Sequence, residues 1–292
     1  MNLFTKTLLA GAMLVGSSAS YATSFYVDLT GTGLGIAGGD GDFVTGTKDQ
    51  LGFNYQSNTE INLGGNGAVD VGDTIVTTGG IDTTSIATIE SSFEFNHFSG
   101  LIPSGDSEGY TTDMDIAGTS NWALSFAFNL IGEIDQVAPG NIVQEVSYSS
   151  GLIEIFLITY DGAGGIAAAD NIFDLTVTGS DNSNPSNFLV NGIVSFSGNE
   201  PAAYQDLFHS TKGSCLGSSS FYDLSTCVPP VEVSFVLDQN LDDVVASVTG
   251  PNTAVIGGNH NGSLEFNVPE PSTLLLLGSS LFAFGATRRK KA

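Results

Sequence analysis

Apolar and polar residues alternate along three stretches of the chain: SFYVDL at 24–29, SFEFNHF at 92–98 and WALSFAFNL at 122–130. A period of two puts every second side chain on one face, so each stretch predicts a strand with one face on a core. LIEIFLITY at 152–160 is apolar nearly throughout and predicts a central strand. IFDLTVTG at 172–179, FLVNGIVSFSG at 188–198, VEVSFVL at 231–237 and SLEFNV at 263–268 complete the set. The intervals hold YDGAGG, SDNSNPSN and TGPN, whose Gly, Asn, Asp and Pro residues favour turns. Between the termini only AAYQDLFHS at 202–210 suggests helix, one or two turns of it. Regular strands with polar turns predict an all-β body, an antiparallel β-sandwich over residues 23–267 with a jelly roll as one candidate arrangement. No fixed-period repeat and no linker divides it.

The two ends depart from this pattern. Residues 1–22 carry one positive charge, Lys6, then the apolar run LLAGAMLV at 8–15, then small residues Ser20 and Ala22. That is the layout of a secretory signal peptide cleaved between Ala22 and Thr23, with a buried N-terminal helix as the alternative. At the other end Val268, Pro269, Glu270 and Pro271 precede a mostly apolar stretch at 273–287, and Arg288, Arg289, Lys290 and Lys291 follow it. As a short helix rising ~1.5 Å per residue the apolar stretch reaches about 22 Å. A bilayer core is roughly 30 Å thick, so the span is marginal. The basic end would stay cytoplasmic while the signal peptide carries residue 23 onward to the opposite side. The arrangement predicts transient insertion in the inner membrane during export, or alternatively a permanent tail anchor. The two prolines fix φ and lack an N–H, so the PEP triplet stays extended at the membrane face, where a processing enzyme can grip it.

Charge narrows the choice of partners. The chain has 31 acidic and 7 basic residues among 292, a formal net charge of −24. Only Glu270 among the acids lies outside 23–268, and only Lys48 and Lys212 among the bases lie inside. The body thus sets 30 negative charges against two positive ones. Such a surface repels phosphate backbones, which excludes nucleic acid, and it attracts divalent cations. With 41% apolar residues and 19 Phe the chain can still bury a core.

The tail VPEPSTLLLLG…RRKK closely resembles the PEP-CTERM sorting signal of Gram-negative bacteria. That resemblance implies recognition by an inner-membrane exosortase, a cysteine transpeptidase, and delivery of the body to the cell surface or extracellular matrix among exopolysaccharide. Further stretches, GNGAVDVGDTIVTTG at 65–79, YSSGLIEIFL at 148–157, VSFVLDQNLD at 233–242 and NGSLEFNVPEP at 261–271, are similar to flocculation-associated PEP-CTERM proteins. This second resemblance implies a β-rich surface protein that helps cells aggregate, and it brings no catalytic residues.

Candidate chemistry is sparse. Cys215 and Cys227 are the two cysteines of an exported chain, so a structural disulfide is expected, with free thiols or a redox role as alternatives. Residues 62–73, NLGGNGAVDVGD, fall in the register of a calcium loop. Asn62, Asn66, Asp70 and Asp73 occupy oxygen-donor positions, Gly67 the sharp turn, and Ala68 would lend its carbonyl. Gly64 lacks the third-position ligand and Asp73 is shorter than the usual Glu, so a plain acidic turn competes with a weak calcium site. DQNLDD at 238–243 and GGDGDF at 38–43 read as solvated acidic turns. His97, His209 and His260 share no metal-ligand spacing. GTGLGIAGG at 31–39 lacks the Lys-Ser/Thr end of a phosphate loop and reads as a flexible turn. Trp122, Tyr148, Tyr160 and Tyr204 could line a sugar groove or fill the core.

The expected function is that of an exported, non-enzymatic surface or matrix protein. It supports flocs or biofilm with exopolysaccharide and meets acidic glycans through divalent cations. A carbohydrate-binding module is the alternative, and a polysaccharide-modifying enzyme a third reading without nominated residues. Intact-mass analysis of surface-exposed or secreted protein should find a chain beginning at Thr23 and lacking the RRKK end. A retained apolar tail would favour the permanent anchor.

Overall fold

The computed structural model describes residues 23–34, 44–99, 122–161, 163, 165–184, 187–215, 217–239 and 244–269. The signal segment, the acidic turn at 38–43, most of that at 238–243, and the apolar helix expected after the PEP triplet lie outside the described residues. The elements run β1 (Phe25–Val27), β2 (Leu51–Asn62), β3 (Thr74–Gly80), α1 (Ile86–Phe93), β4 (His97–Ser99), β5 (Trp122–Ala138), β6 (Ile142–Tyr160) and β7 (Ile166–Asn184). They continue with β8 (Asn187–Ser195), β9 (Phe208–Ser210), α2 (Phe221–Thr226), β10 (Ser234–Gln239), β11 (Val244–Val245), β12 (Ser247–Val248) and β13 (Thr253–Asn267). The described body is all-β and antiparallel, as the alternation predicts.

The main sheet closes on itself. In the order β2, β3, β5, β6, β7, β8, β10, β13 each strand pairs with the next, and β13 returns to pair with β2. Ring neighbours follow one another along the chain, so the connections are those of a meander and not the Greek keys of a jelly roll. β13 bridges two neighbours in the ring: residues 253–264 pair with β2, and 262–267 pair with β10. Gly262 lies where the two pairings overlap, and a Cβ there would stand 1.9 Å from the Asp238 carbonyl oxygen. The long strands bend at register shifts, between Ile131 and Gly132 in β5 and between Ile155 and Phe156 in β6. An extra residue on one strand sharpens twist and lets a sheet curl to closure.

Side chains follow the pleat. Leu51, Phe53, Tyr55, Thr59 and Ile61 of β2 are buried, while Asn54, Gln56, Asn58 and Glu60 between them are exposed. In β6 Ile155, Phe156, Leu157 and Ile158 are all buried, which explains the unbroken apolar run of that stretch. Two aromatic clusters fill the interior. Phe25, Phe173, Phe208, Phe221 and Phe266 pack edge-to-face and stacked near the β1–β9 ribbon. Phe53, Tyr55, Phe98, Phe126 and Phe128 form the second.

The chain departs from the sequence expectation at 92–98. Residues 86–93 are helical, and the strand there is only His97–Ser99. Ser85 and Thr88 form a reciprocal capping box, and Ile89 and Phe93, one turn apart, are the buried pair. A local cap thus outweighs the apparent alternation. At 202–210 the chain makes a turn and then the short strand β9. The sequence pattern does not predict β11, β12 or α2, nor β2 and β3, whose glycines, asparagines and threonines look like loop.

Replacing Gly262 by Ala should lower unfolding stability by about 1–3 kcal/mol, the usual cost of forcing atoms into a packed site. Gly257→Ala is the control, since its Cβ would meet only the Ser57 carbonyl oxygen at 3.8 Å. Denaturant unfolding of the two variants should separate them; equal midpoints would refute the crowding at Gly262.

Candidate functional site

The boundaries of the body meet in space. The Thr23 N–H donates to the Phe266 carbonyl at 2.8 Å, and the Val268 N–H donates to Thr23 Oγ1 at 3.2 Å. Both residues are buried, whereas Pro269 is exposed. The residue expected to follow signal cleavage is therefore tied to the last residue before the PEP triplet. No spacer separates the folded body from Pro269. Glu270, Pro271, Arg288, Arg289, Lys290, Lys291 and Ala22 lie outside the described residues.

Among the described residues a concavity lies where β2 meets β13. A groove of about 540 Å³ is lined by Asn54, Tyr55, Gln56, Glu94, Phe95, His97, Val244, Gly258, Asn259, His260 and Asn261. A second hollow of about 380 Å³ shares Asn54 and Asn261 and adds Ser99, Asp238 and Ser263. The ladder sets Asn54 opposite Asn261 and Gln56 opposite Asn259, and all four side chains are exposed. The rim is positioned by buried Asn96, which accepts from the Gln56 N–H at 2.8 Å and donates to the Ser92 carbonyl at 2.7 Å. This clamp fixes the turn after α1 against β2 and leaves neighbouring Phe95 45% exposed.

Beneath the groove a polar line enters the ring. Tyr55 stacks on His260 with centroids 4.9 Å apart, and His260 Nε2 lies 3.0 Å from Ser57 Oγ. The Tyr148 hydroxyl donates to Thr77 Oγ1 at 2.8 Å, and Thr77 Oγ1 is 2.9 Å from Thr59 Oγ1. Burial pushes the Tyr148 phenol up to about 12 and raises that of Tyr55 well above its ordinary value. Burial also lowers His97. Both tyrosines thus stay neutral hydrogen-bonding groups at physiological pH. The structure brings His97 and His260 to one groove although no spacing in the sequence links them. His209 stands elsewhere, stacked on Tyr26 and 2.7 Å from the Asp206 carbonyl through Nε2.

Other candidates fall as follows. Residues 62–73 form the connection of the β2–β3 hairpin, with no flanking helices. Asn62 Oδ1 accepts from the Gly64 N–H, Asn66 Oδ1 from the Ala68 N–H, and Asp73 Oδ2 from the Asp70 N–H. The Asn66 amide donates to Asp70 Oδ2. One side-chain oxygen each of Asn62, Asn66, Asp70 and Asp73 is thus engaged by the loop itself. Among the described residues no three His, Cys, Asp or Glu side chains gather in a metal-holding group. Cys215 and Cys227 are bonded to each other, and the disulfide closes over α2, whose cap Ser220 accepts from the Asp223 N–H. Trp122 and Tyr148 are buried, so neither offers a face to a sugar; Tyr160 and Tyr204 pack partly against the core.

A carboxyl cluster sits apart from the groove. Glu154 of β6 stands opposite Asp174 of β7, and Glu200 packs nearby. Burial, then the Asp174 charge, raises Glu154. Burial raises Asp174 despite a hydrogen bond from Asn171, and the Glu200 charge adds to the rise. Burial raises Asp170 as well. Burial alone would raise Glu200, but the Ser197 and Gly198 N–H groups donate to it and leave it lowered.

Residues 267–290 match the family model of the PEP-CTERM protein-sorting motif. No curated protein and no solved structure matches the chain. The chain carries the sorting motif of proteins that are exported across the inner membrane and processed by an exosortase, as its tail resembles.

The carboxyls set a pH dependence. Glu154, Asp170 and Asp174 hold protons more tightly in the folded state, so folding binds protons and stability falls as pH rises. The fall begins at the ordinary carboxylate range and levels off above the raised values. Glu200, lowered, acts oppositely and only below the ordinary range. Urea unfolding from about pH 4 upward should show stability declining and then levelling off, opposed by buried His97, whose lowered proton affinity adds stability as pH rises toward the ordinary imidazole range, and Asp174→Asn should flatten part of the decline. An unchanged slope in that variant would remove Asp174 from the account.

Proposed function

We propose that this protein is a non-catalytic component of the cell surface or extracellular matrix that supports floc or biofilm architecture among exopolysaccharide. The observation that carries this reading is the sorting motif joined without a spacer to a closed, acidic β body. Processing at that junction releases the whole body outward with both of its ends secured. Its charge, 30 acids against two bases, keeps copies apart and repels acidic glycans until counter-ions screen it. Divalent cations at millimolar levels then let copies and acidic polysaccharide approach. Screening of this kind needs no dedicated pocket, in keeping with a 62–73 loop whose oxygens already hold its own backbone.

Self-association of the exported protein, followed by light scattering, should rise gradually and without saturation as calcium or magnesium is added. The two ions should act alike, and Asp70→Asn with Asp73→Asn should change little. A sharp, saturable calcium response abolished by that double change would instead make 62–73 a true calcium site. Cells lacking the protein should aggregate less; undiminished aggregation would end the matrix role.

A further inference from the structure

We propose that the β2–β13 seam is a binding site for a neutral polysaccharide chain, which rests on the matrix role above and names a ligand class for it. The paired stretches GFNYQSN at 52–58 and GGNHNGS at 257–263 contain no acidic or basic residue apart from His260. This is an uncharged strip on a body dense in carboxylates. Its exposed row is made of amides. Asn54 faces Asn261 and Gln56 faces Asn259, so cross-strand partners stand about 5 Å apart and successive pairs about 6.6 Å apart. The amides of Asn54, Gln56 and Asn259 each carry two donors and an acceptor in one plane, a match for adjacent sugar hydroxyls. The side chains of Asn54, Gln56 and Asn259 make no hydrogen bond with another of the described residues.

The rest of the groove suits the same ligand. Phe95 is 45% exposed and held at the rim by the Asn96 clamp, and it presents an apolar face to the C–H side of a sugar ring. A concave site with an aromatic wall and a few placed polar groups is the usual form of a small-molecule subsite. The second hollow continues the groove past Asn54 and Asn261, so the site is elongated and accepts a chain. Glu94 in one hollow and Asp238 in the other would repel a polyanion. The geometry therefore points to uncharged sugars, bound directly, and not to the acidic glycans that cation screening brings near.

The test uses exported protein and a panel of neutral hexasaccharides (β-1,4-glucan, β-1,3-glucan, mannan and galactan), with polygalacturonate as the acidic control. Calorimetric titration should find at least one neutral oligomer bound, with affinity insensitive to salt. The combined change Asn54→Ala, Gln56→Ala and Asn259→Ala should weaken it roughly tenfold or more, and Phe95→Ala several-fold. Polygalacturonate should not bind without calcium, and its calcium-dependent association should survive the triple change. Should the triple variant unfold early, chemical-shift mapping on the unaltered protein decides whether Asn54, Phe95 and Asn259 move with ligand. Failure of every neutral oligomer to bind, binding untouched by both variants, or strong weakening by salt would each overturn the proposal. Wild-type protein that restores cell aggregation yet binds no neutral sugar would sink the groove and leave the matrix role standing.

Discussion

The pairing of β13 with β2 is the constraint on which the rest of the structure depends. It joins residues 253–264 to 51–62 along twelve opposed positions and turns an open meander into a ring. An open sheet of these strands would expose two long rows of unpaired backbone N–H and C=O groups, an invitation to edge-to-edge association. Closure removes both rows. It also makes the fold non-local, since β2 cannot be satisfied until the last strand of the body has been made. The Thr23–Phe266 and Val268–Thr23 hydrogen bonds lie at this same end of the chain. The last strand that closes the ring thus runs directly into Val268, the last tied residue, and Pro269 follows it.

Electrostatics and closure divide the surface between them. The carboxylates are spread over the body, and where Glu154, Asp170 and Asp174 are partly buried their raised proton affinity records the cost of desolvating them. The part of the closing seam that pairs 52–58 with 257–263 is the exception, a strip without carboxylates whose strands carry amides outward and Tyr55 and His260 inward. In the proposed role, long-range repulsion governs how copies and acidic polymers approach, while the seam offers short-range hydrogen bonds that salt leaves intact. On that proposal these are two separable ways for one exported domain to sit within a polysaccharide matrix.

The alternation of side chains, the turn residues and the C-terminal sorting signal were legible in the sequence because each is local. Period two survives in any single strand, so β5, β6, β7, β8, β10 and β13 could be located, if too short at their ends. The sorting tail is read by cellular machinery as a linear segment, and the match at residues 267–290 agrees with that reading. The two cysteines had only each other as partners. What escaped were segments where local chemistry competes. β2 is rich in Asn, Gln, Ser and Gly, residues that also make turns, and only its pairing on both edges makes it a strand. The stretch at 92–98 alternates, yet the Ser85–Thr88 capping box begins a helix that runs to Phe93.

The sequence by itself determined an exported, acidic, all-β body with a processing tail. Tertiary structure alone decided that the sheet closes, that Thr23 meets Val268, and that Asn54, Gln56, Phe95, His97, Asn259 and His260 share one groove. The physical reason is separation along the chain. His260 and Ser57 touch although they lie 203 residues apart, and a contact of that span leaves no periodic trace in either segment. Amides on a strand look like loop residues until a partner strand arrives to set them in a row.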